Sequence, residues 1–312
     1  GITTCVHLGD VVDRRKFISF KIANDFRQRF INRFAELGID LHIIIGNHDT
    51  YYKNTNEVNS MEELVGRDRC NIYTGPEVVE FDGVPIQFIP WINTNNYDES
   101  MSALSHSPAQ IAMGHLEVNG FEMHKGHFAD GSYDKELFRR FDIVMSGHFH
   151  HKSDDGQIYY LGTPYEIYWS DYEDPRGFHI FDTDTRELER IVNPYRLFEK
   201  VYYDDTTTDY TEYDMSKFKD MYVKVIVVNK KDLYQFDKFV DKLLQADAHE
   251  VKIVEDFSEL DAENVSDDIV ENTEDTMTLL EKYIDELDVT MDKDRLKNTM
   301  RSLYTEAQDL EI

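Results

Sequence analysis

The chain is 312 residues long, 41% hydrophobic and 13% aromatic, which is enough for one large domain and one or two small ones. Its longest apolar runs are far too short to span a bilayer, so no membrane partner is expected. Sixty-two acids against 33 bases give a net charge of −29, which argues against holding nucleic acid in a basic field, although bound divalent cations would turn a local site positive.

Only Cys5 and Cys70 are present and neither forms a CxxC pair, which fits small packing residues in a reducing cytoplasm. No signal peptide is visible, although the chain starts at Gly1 rather than Met.

In chain order, the first expected element is a strand over Thr3–Leu8. A helix carrying Ile18, Ile22, Phe26, Phe30 and Phe34 at every fourth position follows, closed by Gly38. The strand Ile39–Ile45 completes a βαβ pattern. Val78–Phe81, a turn at Asp82-Gly83 and Pro85–Ile89 read as a hairpin. Further strands are expected at Ile158–Leu161 and Gly177–Asp182.

Residues 196–255 read as a separate small α+β unit. It has strands at Tyr222–Val228 and Glu250–Val254 around an amphipathic helix, Asp232–Gln245, whose Leu233, Phe236, Phe239, Val240, Leu243 and Leu244 share one side. Residues 256–275 carry nine acids and no base and read as a solvated linker. Two short amphipathic helices close the chain over residues 276–312. Their stripes, Leu280 and Ile284 in the first and Leu296, Met300 and Leu303 in the second, suit either self-packing or a partner's groove.

The chemistry sits in four polar motifs, each after an apolar run: Gly9-Asp10-Val11-Val12-Asp13-Arg14, Gly46-Asn47-His48-Asp49, Gly114-His115 and Gly147-His148-Phe149-His150. Parallel strands of α/β folds gather ligands at their carboxyl ends. Asp10 offers a carboxylate able to bridge two cations, Asn47 an amide oxygen, and His115, His148 and His150 imidazole nitrogens. This donor set suits Mn, Fe or Zn over Ca, and so many imidazoles disfavour Mg.

His48 is spare as a ligand and is a candidate acid for a leaving alkoxide. Asp13 could orient that imidazole and Arg14 could contact a phosphate. Asp13 and Arg14 also have a plainer reading as a helix-capping pair. Tyr52, Lys53 and Asn54, directly after the GNHD motif, could touch a nucleic-acid backbone or form an ordinary packed loop. His7 and His42 lie inside strand runs and read as core or sheet-edge residues. His124, His127, His151, His179 and His249 stand in no motif and read as surface or hydrogen-bonding residues.

The ordered set GDxxDR, GNHD, GH and GHxH resembles the calcineurin-like metallophosphoesterase superfamily. Stretches such as LHIIIGNHDTYYKN, FIPWI, SGHFHH, YLGTPYEIYWSD and DPRGFHIFDTDT are similar to SbcD-type recombination nucleases, in particular the form encoded by T-even-type bacteriophages. The likeness is strong from residue 1 to about 195 and weaker beyond.

It implies a mixed α/β sandwich flanked by helices, with a small α+β DNA-capping domain over 196–255 and a C-terminal helical hairpin. It also implies two divalent metals, Mn foremost with Mg, Fe or Zn as alternatives. Asp10 would bridge them, Asn47, His115 and His148 would complete one site, and His150 would serve the other. His48 would be the catalytic histidine. The implied partners are DNA, as double-stranded ends and single strands, and an SMC-like ABC ATPase of SbcC type docked on the terminal helices. The implied assembly is a homodimer within a heterotetramer, in the cytoplasm, that of the host if the chain is phage-encoded.

One departure stands out. The family opens with an Asp-x-His strand, and none of the nine residues before Asp10 forms it. The chain therefore reads as N-terminally incomplete by roughly one βα unit, about 30 residues, with a weakened metal site. Two rival readings follow: a phosphatase or small-molecule phosphodiesterase of the same superfamily, and a catalytically impaired scaffold for the ATPase.

Overall fold

The computed structural model describes residues 1–65, 69–124, 127–130 and 133–255, together with residues 284, 293, 296, 297 and 300. The chain divides into two compact units. One comprises Gly1–Ile167 with Glu173–Arg196, and the other Tyr168–Tyr172 with Leu197–Ile312.

The first unit is layered helix, sheet, sheet, helix. Strand β1 (Thr4–His7) pairs in parallel with β2 (Asp40–Ile44), and β2 with β3 (Asn71–Tyr73). The facing sheet contains β4 (Glu77–Phe81), β5 (Val84–Ile89), β6 (Ile111–Gly114) and β9 (Ile143–Ser146), with β11 (Ile158–Tyr160) and β10 (Ser153–Asp154) beyond β9. A small hairpin, β7 (Glu122–His124) and β8 (His127–Phe128), lies between β6 and β9 in sequence. Within the second sheet, β5, β6, β9 and β11 run parallel.

Ile43, Ile44 and Ile45 are all fully buried, so β2 is covered on both faces. Each such side chain contributes roughly 1.5–3 kcal/mol of burial. Ile43 packs toward Phe26, Phe30 and Phe34 of the helical layer, with Cys5 and Cys70 in the same cluster. Ile44 faces Phe88, Ile111, Met113 and Met145 of the second sheet. The far side of that sheet packs Ala112, Val144, Ile158 and Tyr160 against Leu104, Phe138 and Phe141. Leu104 belongs to α4 (Tyr97–His106), which follows α3 (Ser60–Leu64) in the chain. The expected hairpin forms with Phe81 opposite Val84, so Asp82 and Gly83 make a two-residue turn with both φ positive, at 51° and 81°.

The expected first helix is instead α1 (Phe20–Phe26), a π-helical stretch over Arg27–Ile31, and α2 (Asn32–Leu37). Ser19 caps α1, and Gly38 closes α2 at φ 65°. The extra residue in the π turn shifts the buried stripe. Ala23 and Ile31 are buried, whereas Ile18 precedes the helix and Ile22 is 57% exposed.

After β12 (Gly177–Phe181) and β13 (Leu188–Val192), which pair as an antiparallel hairpin, the chain enters the second unit. There β14 (Phe198–Asp204), β15 (Tyr222–Asn229) and β16 (Glu250–Val254) form a parallel sheet. Helix α5 (Leu233–Gln245) starts at Asp232, whose side chain accepts from the amides of Tyr234 and Gln235. Phe236, Phe239 and Leu243 pack on Val201, Tyr203, Val223 and Val225. Leu233 and Leu244, expected on the same face, are mostly exposed because they flank that stripe.

Lys200, Lys224 and Lys252 stand opposite one another across the three strands. The Trp169 ring covers the Lys224 ammonium at 4.3 Å and the Tyr172 ring covers that of Lys200 at 4.9 Å. Trp169 also meets the Phe198 ring at 4.7 Å. These contacts explain why Tyr168–Tyr172 packs with the second unit, though the sequence gives no reason to part it from its neighbours.

Residues 256–275, Leu280 and Leu303 lie outside the described residues. Ile284, Leu296 and Met300 are helical, Ile284 buried and the other two half-buried. No helix among the described residues is long and apolar enough to cross a membrane.

Candidate metal centre

The four motifs leave the two sheets in pairs. β1 and β2 are in parallel register and run into Gly9-Asp10 and Gly46-Asn47, while β6 and β9 pair up to Gly114 opposite Ser146 and run into His115 and His148. A main-chain bond ties the sheets together at this end, Trp91 N–H donating to Ile45 O at 2.8 Å, while Gly147 N–H donates to Gly114 O at 3.0 Å within the second sheet.

Close backbone approach needs glycine here. A Cβ on Gly46 would stand 2.2 Å from Asp10 Oδ1, and one on Gly9, at φ 93°, would stand 2.4 Å from His115 Nδ1. Asp10 and His148 themselves take positive φ, 55° and 80°. Such left-handed residues cost about 1–3 kcal/mol each and persist where the surroundings over-determine them.

Asp10, His115 and His148 each bring a ligand atom within 4.8 Å of the others. Asn47 completes the set: its Oδ1 lies 2.9 Å from His115 Nε2 and 3.1 Å from His148 Nδ1. Asp10 Oδ2 is 3.1 Å from His115 Nε2. His115 Nδ1 lies 2.7 Å from the Leu8 carbonyl, which can only accept, so Nδ1 carries the hydrogen and Nε2 presents a lone pair in the neutral ring.

The Asp10 and Asn47 oxygens and the Nε2 lone pair of neutral His115 thus face one another, a repulsive arrangement that a proton or a cation relieves, with His148 Nδ1 beside them. Ligand bonds of about 2.0–2.2 Å separate adjacent donors by roughly this spacing. The nitrogen and oxygen donors therefore fit a divalent transition metal.

The electrostatics agree. Burial alone would raise the Asp10 carboxyl, but the charge and hydrogen bond of His115, with His48 and His148 nearby, hold it well below the usual carboxylate range. Burial opposes the charging of His115, and the Asp10 carboxylate outweighs it, so the His115 pKa is raised. Burial, then His115, pushes His148 down to about 3.

The other expected residues are placed as follows. His150 is not among the atoms that converge on Asp10, although its charge contributes to lowering His148. His48 stands at the rim, its amide donating to Asp10 Oδ1 at 2.7 Å. Its Nδ1 lies 2.6 Å from the main-chain carbonyl of Asp13, so the observed hold on this imidazole comes from Asp13's backbone. Arg14 is exposed, and the guanidinium that feels Asp10's charge is that of Arg15, whose pKa burial lowers. Tyr51, Tyr52, Lys53 and Asn54 are exposed at the tip of a loop closed by Tyr51 N–H to Val58 O and Ser60 N–H to Asp49 O. His42, expected in the core or at a sheet edge, is half-buried with its Nδ1 2.7 Å from the Tyr73 hydroxyl.

Two residues that the motifs gave no role also shape the site. Asp49 is fully buried and accepts from the amides of Asp10, Val11, Val12 and Gly46 at 2.8–3.3 Å, so it folds the Asp10 loop onto the Asn47 loop. Burial and the Asp10 charge push its carboxyl up to about 6, against amide donors that favour the ionised form. Trp91 walls the site, its ring 5.2 Å from that of His148 and 6.0 Å from that of His115. Its carbonyl is held by Asn56 and Asn96 at 2.9 and 3.0 Å.

A two-sheet sandwich with histidine, asparagine and aspartate converging at the strand ends defines a metal-dependent phosphoesterase. Residues 2–152 match the family model described as calcineurin-like phosphoesterase. Exonuclease subunit 1 of Enterobacteria phage T4 is 34% identical over 312 residues, covering 98% of this chain and 88% of that protein. The SbcD component of the SbcCD nuclease of Staphylococcus epidermidis is 23% identical over 185 residues, covering 49% of this chain and 48% of that one. The chain belongs to the calcineurin-like phosphoesterase family.

Proposed function

We propose that the chain is the nuclease subunit of a DNA repair and recombination complex, hydrolysing DNA phosphodiesters with Mn as its metal. The observation that carries the reading is the convergence of Asp10, Asn47, His115 and His148 in a chain whose two relatives above are both named as nuclease subunits.

A bound metal pair supplies a water deprotonated near neutral pH and neutralises charge developing on the phosphate. The chain's own residues do the rest. Asp10, Asn47, His115 and His148 would hold one ion, and Asp10 with His150 would serve a second. Leu8's carbonyl fixes the His115 tautomer. His48, with Nδ1–H committed to Asp13's carbonyl, leaves Nε2 free of that contact, and as the doubly protonated imidazolium it would give the Nε2 proton to the leaving alkoxide and be left neutral. Trp91 shields two of the imidazoles from water. The exposed Tyr52, Lys53 and Asn54, on the loop that follows the GNHD motif, contact the DNA backbone, with Arg14 or Arg15 on the phosphate.

The family likeness supports the partner assignments. An SMC-like ABC ATPase docks on the terminal helices, through Leu280, Leu296, Met300 and Leu303 with Ile284 as internal packing. The 196–255 region caps the DNA, and the complex is a heterotetramer built on a homodimer of this chain in the cytoplasm.

The test is Mn-dependent cleavage of linear duplex DNA beside an aryl phosphate monoester. Cleavage of DNA, abolished by Asp10→Asn, supports the reading. Hydrolysis of the monoester alone would replace it with a phosphatase, and inertness toward both with a scaffold.

A further inference from the structure

We propose that Asp174 and Arg176 are positioning residues that hold the His148–His151 turn in the shape the metal centre needs. The inference deepens the metal-centre reading above and rests on it. Neither residue belongs to the four motifs, and both lie some 25 positions after the turn they grip.

Arg176 is 6% exposed in a chain that otherwise leaves most charges in solvent. Its Nη1 donates to the main-chain carbonyl of His150 and to Thr163 Oγ1, the latter at 2.9 Å. Its Nη2 pairs with Asp174 Oδ2 at 2.9 Å. The same Asp174 oxygen lies 2.7 Å from His151 Nδ1, and the other ring nitrogen of His151 faces Glu122 at 3.5 Å. Thr163 N–H also donates to the His150 carbonyl, at 3.1 Å. One planar guanidinium therefore touches the backbone of His150 and, through Asp174, the side chain of His151.

A grip of this kind answers a specific need. His148 holds φ at 80°, a conformation that a histidine keeps only when its neighbours fix it. The residues before it are fixed by sheet bonds, Gly147 N–H to Gly114 O among them. The residues after it leave the sheet, and Arg176 with Asp174 add the side-chain hold there, beside the main-chain bonds Thr163 N–H to His150 O and His151 N–H to Met123 O. The fork geometry of arginine suits the task, because one flat group donates in two directions at once. The stretch DPRG supplies this pair together with Gly177, where a Cβ would stand 2.2 Å from the Ile191 carbonyl, so the arginine enters on a strand pressed against its neighbour.

The test uses Arg176→Met and Asp174→Asn in the full chain, with two readouts. The first is amide hydrogen exchange over residues 147–151 in metal-free protein. The second is Mn affinity, followed by DNA cleavage rates over a wide range of Mn concentration. Faster exchange confined to this turn, Mn binding weakened about 10- to 100-fold, and turnover restored by excess Mn are expected. If Arg176→Met does not fold, Asp174→Asn carries both readouts, since it keeps the arginine and removes only its anchor. Unchanged exchange with unchanged Mn affinity, or a loss of turnover that excess Mn does not restore, would overturn the positioning role. Should the parent protein itself bind no Mn, the metal-centre reading fails, while the exchange readout still decides whether the pair holds the turn.

Discussion

His48 is tied to Asp13 through the main chain: its Nδ1 sits 2.6 Å from the Asp13 carbonyl oxygen. A carbonyl accepts only, so the ring is locked with hydrogen on Nδ1 and with Nε2 turned away from the loop. The second aspartate of GDxxDR therefore orients the imidazole without needing its own carboxylate for this contact.

This relationship separates two substitutions that the motif alone would treat alike. His48→Ala removes the proton donor and should lower turnover about 100- to 10,000-fold while leaving Mn content unchanged. Asp13→Ala keeps the carbonyl and should cost less than about 10-fold, a small fraction of a general acid's contribution. Cleavage rates and metal content, measured on both variants, check the pair. Equal losses of turnover would return the role to the Asp13 side chain.

Asp49→Ala should be strongly destabilising. It strips the shared acceptor from the amides of Asp10, Val11, Val12 and Gly46, all drawn to one buried carboxylate. Leaving buried donors unpaired costs about 1–3 kcal/mol each, and partial access to water reduces the sum, so a loss on the order of 3 kcal/mol or more is expected. Urea denaturation of the metal-free protein measures it, and Mn affinity should fall in the same variant because Asp10 loses its support.

The Asp10–His115 pair sets a pH dependence of definite sign. His115 is raised above its ordinary 6.5, so its share of the pair's stability is complete below that value and is lost as pH climbs through the raised one. Asp10 is lowered from 3.8, so its share is present above that value and is lost as pH falls. The metal-free protein should gain most from the pair between these limits. The difference in Tm between the parent and Asp10→Asn should peak at about pH 5 and shrink as pH rises through the raised His115 value. Metal must displace the proton from His115, so Mn affinity should run the other way and rise with pH as that proton is lost.

Gly46→Ala tests the crowding beneath the site. Its methyl group would overlap Asp10 Oδ1 and the Asp10 amide, both rigidly held. Mn affinity should drop at least about 10-fold, in the range seen when a ligand's support is disturbed. Circular dichroism should still report a folded chain.

Much of this was readable from residue order. Apolar runs ending in Gly and a polar donor marked the strand ends, because buried parallel strands are apolar throughout and can afford ligands only where they emerge. The Asp82-Gly83 turn and the amphipathic helix after Lys231 were equally local. What escaped depends on distant partners. The π turn in the first helix leaves no mark on a four-residue spacing. The strand Phe198–Asp204 hid behind Lys200, which the Tyr172 ring covers. Asp49 drew no role from the sequence, since its four donors come from two separate loops. His151 had no motif, and its partner Asp174 lies in another hairpin.

The most direct measurement is Mn anomalous scattering from crystals of the protein soaked in MnCl2. The account predicts an anomalous peak within bonding distance of Asp10, Asn47, His115 and His148, lost in Asp10→Asn. A peak elsewhere, or none at these four side chains with Mn at saturating concentration, would contradict it.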